Sequence, residues 1–312
     1  MEQSGSILHS LLDRIGNTPL FHLQKVNPYA GVRILAKLEL HNPSGSPKDR
    51  IAKSMIEEAE KRGDLRPGMT IIEATTGSTG IALSMVAAIK GYKMLVVMPR
   101  GMSEERKKMM KAYGAEIIYT EGAGTDMDEG VQLARKMAKE HDDYWMANQF
   151  SNPDNTKAHI QTGNEIWEQT GGDIDAFVAS FGTAGLLMGV AQVLKEKKPS
   201  IKIVTTEPTT CALLSGGSVH PHKIEGISDG FVPDLLHRDM IDEVITISDE
   251  ESMNMAREIA KKEGIFCGSS SGINVCAALK VAEKMGKGTV VTILPDRGER
   301  YFSTDLCKEP LS

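Results

Sequence analysis

The sequence predicts an α/β protein of two domains, each with a twisted, mostly parallel sheet flanked by helices. Apolar runs of strand length alternate with helix-like segments along the chain, which is typical of parallel strands joined by helical crossovers. This alternation begins again after residues 148–150, which indicates a second domain. The length of 312 residues, with 40% hydrophobic residues, is sufficient for two cores.

The elements of the first half follow from the spacing of its apolar residues. Strand-like runs predict strands over residues 32–40, 69–73, 93–98 and 116–120. Between and after them, apolar residues at helical spacing predict helices that begin near residues 48, 81, 104 and 127.

The second half shows the same alternation. Strands are predicted over residues 176–180, 201–207, 243–247 and 289–294. Helices are predicted over residues 158–169, 186–196, 249–263 and 277–285. In such a fold we expect the ligand in the crevice at the carboxyl ends of the strands.

Residues 75–80, Thr-Thr-Gly-Ser-Thr-Gly, are the most informative motif of the chain. They lie between a strand-like run at 70–73 and a helix-like run at 81–89. Glycine permits a tight turn there, and the free N–H groups of a helix N-terminus attract an anion. Four hydroxyl side chains favour a polar small molecule as the ligand, although a simple helix cap uses the same residue types.

The segment before this loop, residues 42–50, reads Asn-Pro-Ser-Gly-Ser-Pro-Lys-Asp-Arg. Ser46 is predicted to be a helix N-cap, with Pro47 as the first helical residue and Asp49 completing a capping pair. Lys48 then lies in the first turn, where the positive end of the helix dipole lowers the pKa of its amine. A neutral amine attacks carbonyl groups, so Lys48 is a candidate nucleophile; the alternative is a solvated surface lysine.

A second glycine-rich loop, residues 180–189, follows the strand at 176–179 and begins a helix, so it is another candidate anion site. Its spacing is not Gly-x-Gly-x-x-Gly, which makes a nicotinamide cofactor the weaker interpretation. Neither loop is followed by Gly-Lys-Ser/Thr, which excludes a nucleotide P-loop.

These motifs together resemble the cysteine synthase and cystathionine beta-synthase family of enzymes, which depend on pyridoxal 5'-phosphate (PLP) and have fold type II. Other blocks that resemble the family occur in order at residues 15–20, 102–106, 148–153, 162–166, 181–185, 268–272 and 294–301. The resemblance therefore covers nearly the whole chain. It implies the tryptophan synthase beta-like fold and a homodimer.

The resemblance also implies where the two domains divide. A smaller N-terminal domain of residues 42–148, together with residues 1–12, would carry the PLP lysine and the substrate loop. A larger C-terminal domain of residues 13–41 and 149–312 would carry the phosphate loop.

The resemblance implies a role for each motif. Lys48 would hold PLP as a Schiff base and then act as the general base on the α-proton of the substrate. Ser270 would face the pyridine nitrogen, where a hydroxyl holds a ring charge less well than a carboxylate and so disfavours transamination; the alternative is that the serines simply cap a helix. The phosphate would be bound by Gly182, Thr183, Ala184, Gly185 and Leu186. The substrate would be bound by Thr75, Thr76, Gly77, Ser78, Thr79 and Gln149.

Three positions in the two glycine loops depart from the pattern of the family. Ala184 replaces a glycine, and Leu186 removes a hydroxyl that is often used on the phosphate, so backbone donors would carry more of the binding. Ser78 stands where the family usually has asparagine, a residue that also contacts the 3′-oxygen of PLP.

The implied reaction is β-replacement on a serine- or cysteine-type amino acid through an aminoacrylate, most specifically cysteine synthesis from O-acetylserine and sulfide. Asp229 stands where typical cysteine synthases have a small apolar residue. A carboxylate there could activate water or a thiol, or be a solvated turn residue. The alternatives are therefore a cysteine lyase that releases hydrogen sulfide and forms serine, and a cystathionine-type thiol addition. A catalytically idle sensor or assembly partner is the alternative from a different class.

Composition narrows the class of partner. A net charge of -6 argues against nucleic acid as the main partner. The chain has no apolar run of membrane-spanning length and its first residues do not resemble a signal peptide, so we expect a cytoplasmic protein with no membrane partner. The four cysteines lack metal-site spacing, and His220 and His222 are interpreted as a loop pair, so no metal site is expected. The expected partners are an amino acid and sulfide, a thiol or water.

Overall fold

The computed structural model describes residues 7–121, 127–217 and 219–308. Ten strands in these residues form two sheets, which we call the large sheet and the small sheet. The strands are β1 (Leu20–Leu23), β2 (Val32–Leu38), β3 (Thr70–Ala74), β4 (Lys93–Pro99), β5 (Glu116–Thr120), β6 (Tyr144–Met146), β7 (Ala176–Ser180), β8 (Lys202–Pro208), β9 (Glu243–Ile247) and β10 (Gly288–Leu294).

The large sheet has the strand order β1-β2-β10-β7-β8-β9, and the small sheet has the order β5-β4-β3-β6. All neighbouring strands are parallel except β1 and β2, which form an antiparallel pair at one edge of the large sheet. The predicted α/β fold with mostly parallel sheets is therefore confirmed.

Eight α-helices in the described residues flank these sheets. They are α1 (Lys48–Arg62), α2 (Ser78–Lys90), α3 (Glu104–Ala112), α4 (Asp128–Glu140), α5 (Pro153–Thr170), α6 (Gly185–Lys197), α7 (Asp249–Glu263) and α8 (Ser269–Met285). Within the part of the chain that the structure describes, no helix combines the length and apolar character needed to cross a membrane.

The main differences from the prediction are three element boundaries and two short strands. The strand predicted over 32–40 ends at Leu38, because the next three residues turn into a 3-10 helix. Helix α5 begins at Pro153, five residues early, because the Asn152 side chain accepts the N–H of Asp154 at 3.0 Å and caps it. Helix α8 begins at Ser269 rather than at 277. Strands β1 and β6 were not predicted, since both are very short.

Hydrophobic residues cover both faces of each sheet. In the large sheet, Val178 and Val290 pack on one face while Phe177 and Val291 pack on the other. The small sheet shows the same alternation, with Ile71 and Val96 on one face and Ile72 and Val97 on the other. Because successive side chains point to opposite faces, a strand buried on both sides reads as a continuous apolar run. This explains why most strands are visible in the sequence.

The candidate motifs lie at the carboxyl ends of the strands. Residues 75–80 follow β3, and the second glycine loop follows β7. The segment that leads to Lys48 follows β2, after the 3-10 helix Glu39–His41. The two sheets present these ends to a common crevice. The proposed domain boundaries at residues 42–148 stay a prediction, and residues 1–6 of the segment assigned to the smaller domain lie outside the described residues.

A buried cluster of charges connects α1, which packs on the small sheet, to elements of the large-sheet side. Arg50 of α1 donates to Glu39 and to Glu165, at 2.8 Å in each case. Lys37 of β2 completes the cluster with a 2.7 Å ion pair to Glu165. All four side chains are at least nine-tenths buried. A buried charge left without its partner is strongly destabilising, so this cluster constrains how the two sheets are joined.

Replacing Arg50 with alanine should lower the free energy of unfolding by about 3–5 kcal/mol, because two buried carboxylates lose their main cation. Urea denaturation measures the loss. The control is Arg33→Ala, which removes an exposed ion pair to Asp173 and should cost less than about 1 kcal/mol. Equal losses in the two variants would show that the cluster does not hold the sheets together.

Candidate active site

A single cleft of about 800 Å³ between the two sheets contains most of the residues proposed from the sequence. Its lining includes Lys48, Thr75, Thr76, Ser78, Thr79, Gln149, Gly182, Thr183, Ala184, Leu186, Asp229 and Ser270. Gly77 and Gly185 lie in the same two loops but do not line the cleft. The fold therefore brings together segments that are more than 200 residues apart in the chain.

Lys48 is the first residue of α1, and its half-buried side chain lines the cleft. Burial lowers the pKa of its amine, while the nearby carboxylates of Asp296 and Asp229 raise it and partly offset this effect. The expected direction of the pKa shift is thus found, with burial as its main cause.

The predicted capping pair before Lys48 is wrong. Pro47 occupies the cap position, and the Ser46 hydroxyl accepts the N–H of Lys48 at 3.3 Å. The Asp49 carboxylate turns instead to Ser44, accepting its backbone N–H at 2.7 Å and its hydroxyl as well. This pairing joins the first turn of α1 to the loop that precedes it.

The substrate loop, residues 75–79, turns sharply between β3 and α2. Gly77 has a φ of 145°, a region that favours glycine, and its N–H donates to the Thr75 hydroxyl at 3.0 Å. Thr79 donates its hydroxyl proton to Gln149 at 2.6 Å, and the Gln149 amide donates to the carbonyl of Ala74 at 2.8 Å. Two of the predicted substrate donors are therefore paired with each other and hold the loop against the end of β3.

The phosphate loop, residues 182–186, leads into the N-terminus of α6. Ala184 adopts a left-handed conformation with a φ of 64°, which costs an alanine more than a glycine. A side chain at Gly185 would lie 1.9 Å from Oδ1 of Asn155. Asn155 in turn donates to the Thr183 hydroxyl at 3.0 Å. Asn155, which the sequence analysis did not single out, thus supports this loop; its place just after the block at 148–153 was the available signal.

Ser270 lies in the first turn of α8 and its side chain is buried at the cleft. The interpretation of the serines as a cap before this helix is wrong, because the helix already includes them. Asn274, one turn later, accepts the N–H of Ser180 at 2.7 Å and donates to the carbonyl of Ile293 at 3.0 Å. It fixes the start of α8 relative to the ends of β7 and β10.

Asp229 is buried, so the interpretation as a solvated turn residue is wrong. Burial raises the pKa of its carboxyl to about 6, although Lys48 and Arg106 oppose the shift. Its Oδ1 atom has no hydrogen-bond partner among the described residues. The loop is held in place by Ser228, whose N–H donates to the carbonyl of Phe181 at 2.9 Å. His222, half of the predicted histidine loop pair, lies 3.0 Å from the carbonyl of Ser228 and supports the same loop.

Two buried arginines join the substrate loop to the large-sheet side, and the sequence analysis assigned a role to neither. Arg106 donates to the carbonyl of Thr76 at 3.2 Å and to the Tyr301 hydroxyl at 2.9 Å. It also forms a 2.8 Å ion pair with Glu225. Arg300 donates to the Ser78 hydroxyl at 3.0 Å. Both arginines belong to blocks that resemble the family, at 102–106 and 294–301. These blocks could have drawn attention to the arginines, but they did not indicate which residues the arginines contact.

The family of pyridoxal-phosphate dependent enzymes matches residues 11–296. The chain belongs to this family. The fold type II inferred from the sequence is thereby confirmed, and the protein is a PLP-dependent enzyme.

Several members of the family are similar to this PLP-dependent enzyme over nearly their whole length. Cysteine synthase of Staphylococcus aureus is 46% identical over 295 residues, which is 94% of each chain. The structure of cysteine synthase from Entamoeba histolytica has a TM-score of 0.94 and 46% identity, covering 100% of this chain and 94% of that one. A hydrogen sulfide-producing enzyme from Fusobacterium nucleatum has a TM-score of 0.91 and 41% identity, covering 95% of this chain and 100% of that one.

The cleft has the features that PLP requires. The N-terminus of α6 offers free N–H groups to a phosphate. A side chain at Gly182 would lie 2.8 Å from the carbonyl of Gly226, so only glycine leaves this cradle open. The Lys48 amine and the Ser270 hydroxyl face the same cleft. The cleft thus combines an anion site, an amine and a hydroxyl, which are the groups that a phosphorylated pyridine aldehyde needs.

Replacing Gly77 with alanine should destabilise the substrate loop of this PLP-dependent enzyme. The new methyl group would lie 2.4 Å from Cδ of the buried Arg106, in addition to the strained backbone. The control is Gly91→Ala, since Gly91 also has a positive φ but nothing within 4 Å; it should cost only the backbone term of about 1–2 kcal/mol. Urea denaturation of both variants compares the losses, and an equal loss would mean that Arg106 yields freely.

Proposed function

We propose that this enzyme is a cysteine synthase, which converts O-acetylserine and sulfide to cysteine and acetate. The observation that carries the proposal is the convergence in one cleft of Lys48, two glycine loops at helix N-termini and the Ser270 hydroxyl. The cysteine synthases of S. aureus and E. histolytica, each 46% identical to this chain, support the same reaction.

PLP, when bound, supplies an electron sink that makes the α-proton of an amino acid acidic. Lys48 would hold the cofactor covalently, and residues 182–186 would hold its phosphate. Ser270 would face the ring nitrogen with a neutral hydroxyl. Because a hydroxyl stabilises a ring charge less well than a carboxylate does, this site favours loss of a β-substituent over transamination.

Lys48 also acts on the substrate as an acid and a base. Once the amino group of the substrate had displaced it from the cofactor, its amine would take the α-proton. Acetate would then leave the β-carbon, sulfide would add there, and Lys48 would return the proton to the α-carbon. Burial lowers the pKa of Lys48, which brings the neutral amine closer to the working pH, where general-base catalysis is most effective.

The substrate loop would bind the carboxylate of the amino acid. The first N–H groups of α2, from Ser78 to Gly80, have no partner within the helix and attract an anion. The hydroxyls of Thr75 and Thr76 line the cleft beside them. The hydrogen bond between Thr79 and Gln149 would hold the loop in shape before the substrate binds. When the substrate binds, this bond would break, and the two side chains would donate to the carboxylate instead.

Asp229 supports a second candidate function, a cysteine lyase that converts cysteine and water to serine and hydrogen sulfide. Its buried carboxylate lines the cleft, and its Oδ1 atom has no partner among the described residues. With a pKa raised to about 6, it is mostly ionised at neutral pH yet basic enough to take a proton from water. The similarity to a hydrogen sulfide-producing enzyme at 41% identity supports the release of hydrogen sulfide.

The amino acid and sulfide are the small-molecule partners that this function needs. A cytoplasmic location and a homodimeric assembly are proposed on the strength of the family resemblance.

Lys48→Ala should yield a folded protein that lacks the visible absorbance of covalently held PLP and forms no cysteine from O-acetylserine and sulfide. Its control, Lys53→Ala, removes the next lysine of α1, which contacts the carbonyl of Leu12, and should keep both properties. Borohydride reduction followed by peptide mapping identifies the labelled lysine in the wild type. A label on any other lysine would reject the assignment, and a labelled enzyme that forms no cysteine would reject the proposed reaction.

Asp229→Asn should suppress formation of serine from cysteine by roughly 10²–10⁴-fold, because it removes the base that activates water. Cysteine synthesis from O-acetylserine and sulfide should change only a few-fold. The carboxyl is the active base when ionised, so serine formation by the wild type should fall as the pH drops below about 6. Quantitative amino-acid analysis over this pH range measures both products.

The control for this prediction is Asp234→Asn, an exposed aspartate of the same loop, which should change neither rate. If Asp229→Asn and the wild type form serine at the same rate, the lyase function is rejected and cysteine synthesis remains.

A further inference from the structure

Arg300 connects the substrate loop to the segment before Lys48 through one buried guanidinium group. Its Nη1 donates to the Ser78 hydroxyl at 3.0 Å, and its Nη2 donates to the carbonyl of Ser44. Ser78 begins α2 in the substrate loop, and Ser44 lies four residues before Lys48. The Arg300 side chain is almost fully buried, so these contacts are not shared with bulk water.

The chemistry of this contact determines the direction of the Ser78 hydroxyl. A guanidinium group has only donors, so the oxygen of Ser78 must be the acceptor. A serine hydroxyl carries a single proton, and this proton must then point away from Arg300. Within residues 7–121, 127–217 and 219–308, no second hydrogen bond of the Ser78 hydroxyl is found, and Ser78 lines the cleft. The proton is therefore available to a ligand.

Arg300 is also constrained on its other side. A side chain at Gly45 would lie 3.2 Å from Nη2 of Arg300, and Gly45 has a φ of 90°. The guanidinium thus packs directly against the turn that leads into α1. Movement of Arg300 would displace the Ser44 carbonyl and the Ser78 hydroxyl together.

We propose that Arg300 is a positioning residue, which holds the Ser78 hydroxyl as a hydrogen-bond donor directed into the cleft and fixes the start of the Lys48 helix relative to the substrate loop. The acceptor is an oxygen atom that carries negative charge, supplied either by the cofactor or by the carboxylate of the amino acid. This inference rests on the proposed function of the cleft, and it gives Ser78 a defined polarity at the position where the family usually has asparagine.

A double-mutant cycle tests the inference with four proteins: wild type, Arg300→Lys, Ser78→Ala and the double variant. Titration of each apoprotein with PLP, followed by its visible absorbance, gives the dissociation constant of the cofactor. Titration of each loaded protein with L-alanine, which has no β-leaving group, gives the affinity for an amino acid. The effects of two residues that act through one another are not additive. Arg300→Lys should therefore weaken binding by a factor that is at least about three-fold larger when Ser78 is present than when it has been replaced with alanine.

The two titrations distinguish the two sources of the acceptor oxygen. Coupling in the PLP titration assigns the Ser78 donor to the cofactor, and coupling only in the L-alanine titration assigns it to the substrate carboxylate. Additive effects in both titrations overturn the proposal, because Arg300 would then act independently of Ser78.

Arg297→Lys is the matched control. Arg297 is an exposed arginine of the same loop that donates to the carbonyl of Leu40 at 2.9 Å and has no contact with Ser78. It should leave both affinities within about two-fold of the wild type and show no coupling to Ser78→Ala.

A second comparison covers the case in which Arg300→Lys does not fold. Ser78→Thr keeps the hydroxyl and should bind both ligands within about three-fold of the wild type, whereas Ser78→Ala should bind one of them more weakly than that. Equal affinities in the two variants would overturn the proposal. Failure of the wild type to form cysteine would reject the proposed reaction without affecting these binding measurements.

Discussion

Buried guanidinium groups that reach from one sheet to the other are the interactions on which the rest of the structure depends. Arg50 joins α1 to Glu39 and Glu165, while Arg106 joins α3 to Glu225 and Tyr301. Arg300 reaches in the opposite direction, from the 3-10 helix Gly298–Tyr301 after β10 to the substrate loop. A buried charge without a partner is far more costly than a lost apolar contact, so each arginine permits little relative movement of the elements it joins. The cleft is the space that these ties leave between the sheets.

The same ties set the electrostatics around Lys48. The carboxylates of Asp296 and Asp229 stabilise its charged form, whereas Arg300 and Arg106 destabilise it. Asp296 is itself held by the Tyr301 hydroxyl at 2.9 Å. Because these charges act in opposite directions and partly offset one another, burial has the largest effect and lowers the pKa of the amine. A half-buried lysine thus becomes a base through packing rather than through one dominant neighbour.

The glycines of the two loops show how closely backbone and side chains approach in this cleft. Gly77 lies against Arg106, and Gly185 lies against Asn155, so that neither site has room for a side chain. Ala184, the residue before Gly185, adopts a left-handed conformation although it has a side chain. The close contacts at Gly77 and Gly185 are necessary because the neighbouring side chains orient the loops that bind the ligands.

The sequence by itself determined the α/β class, most strands, the family and the two loops, because these depend on local patterns. Strands buried on both faces read as apolar runs, and a turn at a helix N-terminus needs glycine and hydroxyl residues where they stand. The starts of α5 and α8 were placed less well, since α5 is capped by the side chain of Asn152 and α8 begins directly after Gly268 without a side-chain cap. Only the tertiary structure decided that Asp229 is buried and that Arg300 meets Ser78 across 222 residues of chain. Such contacts depend on how the two sheets pack together, and the residue pattern around Arg300 or Ser78 does not predict that packing.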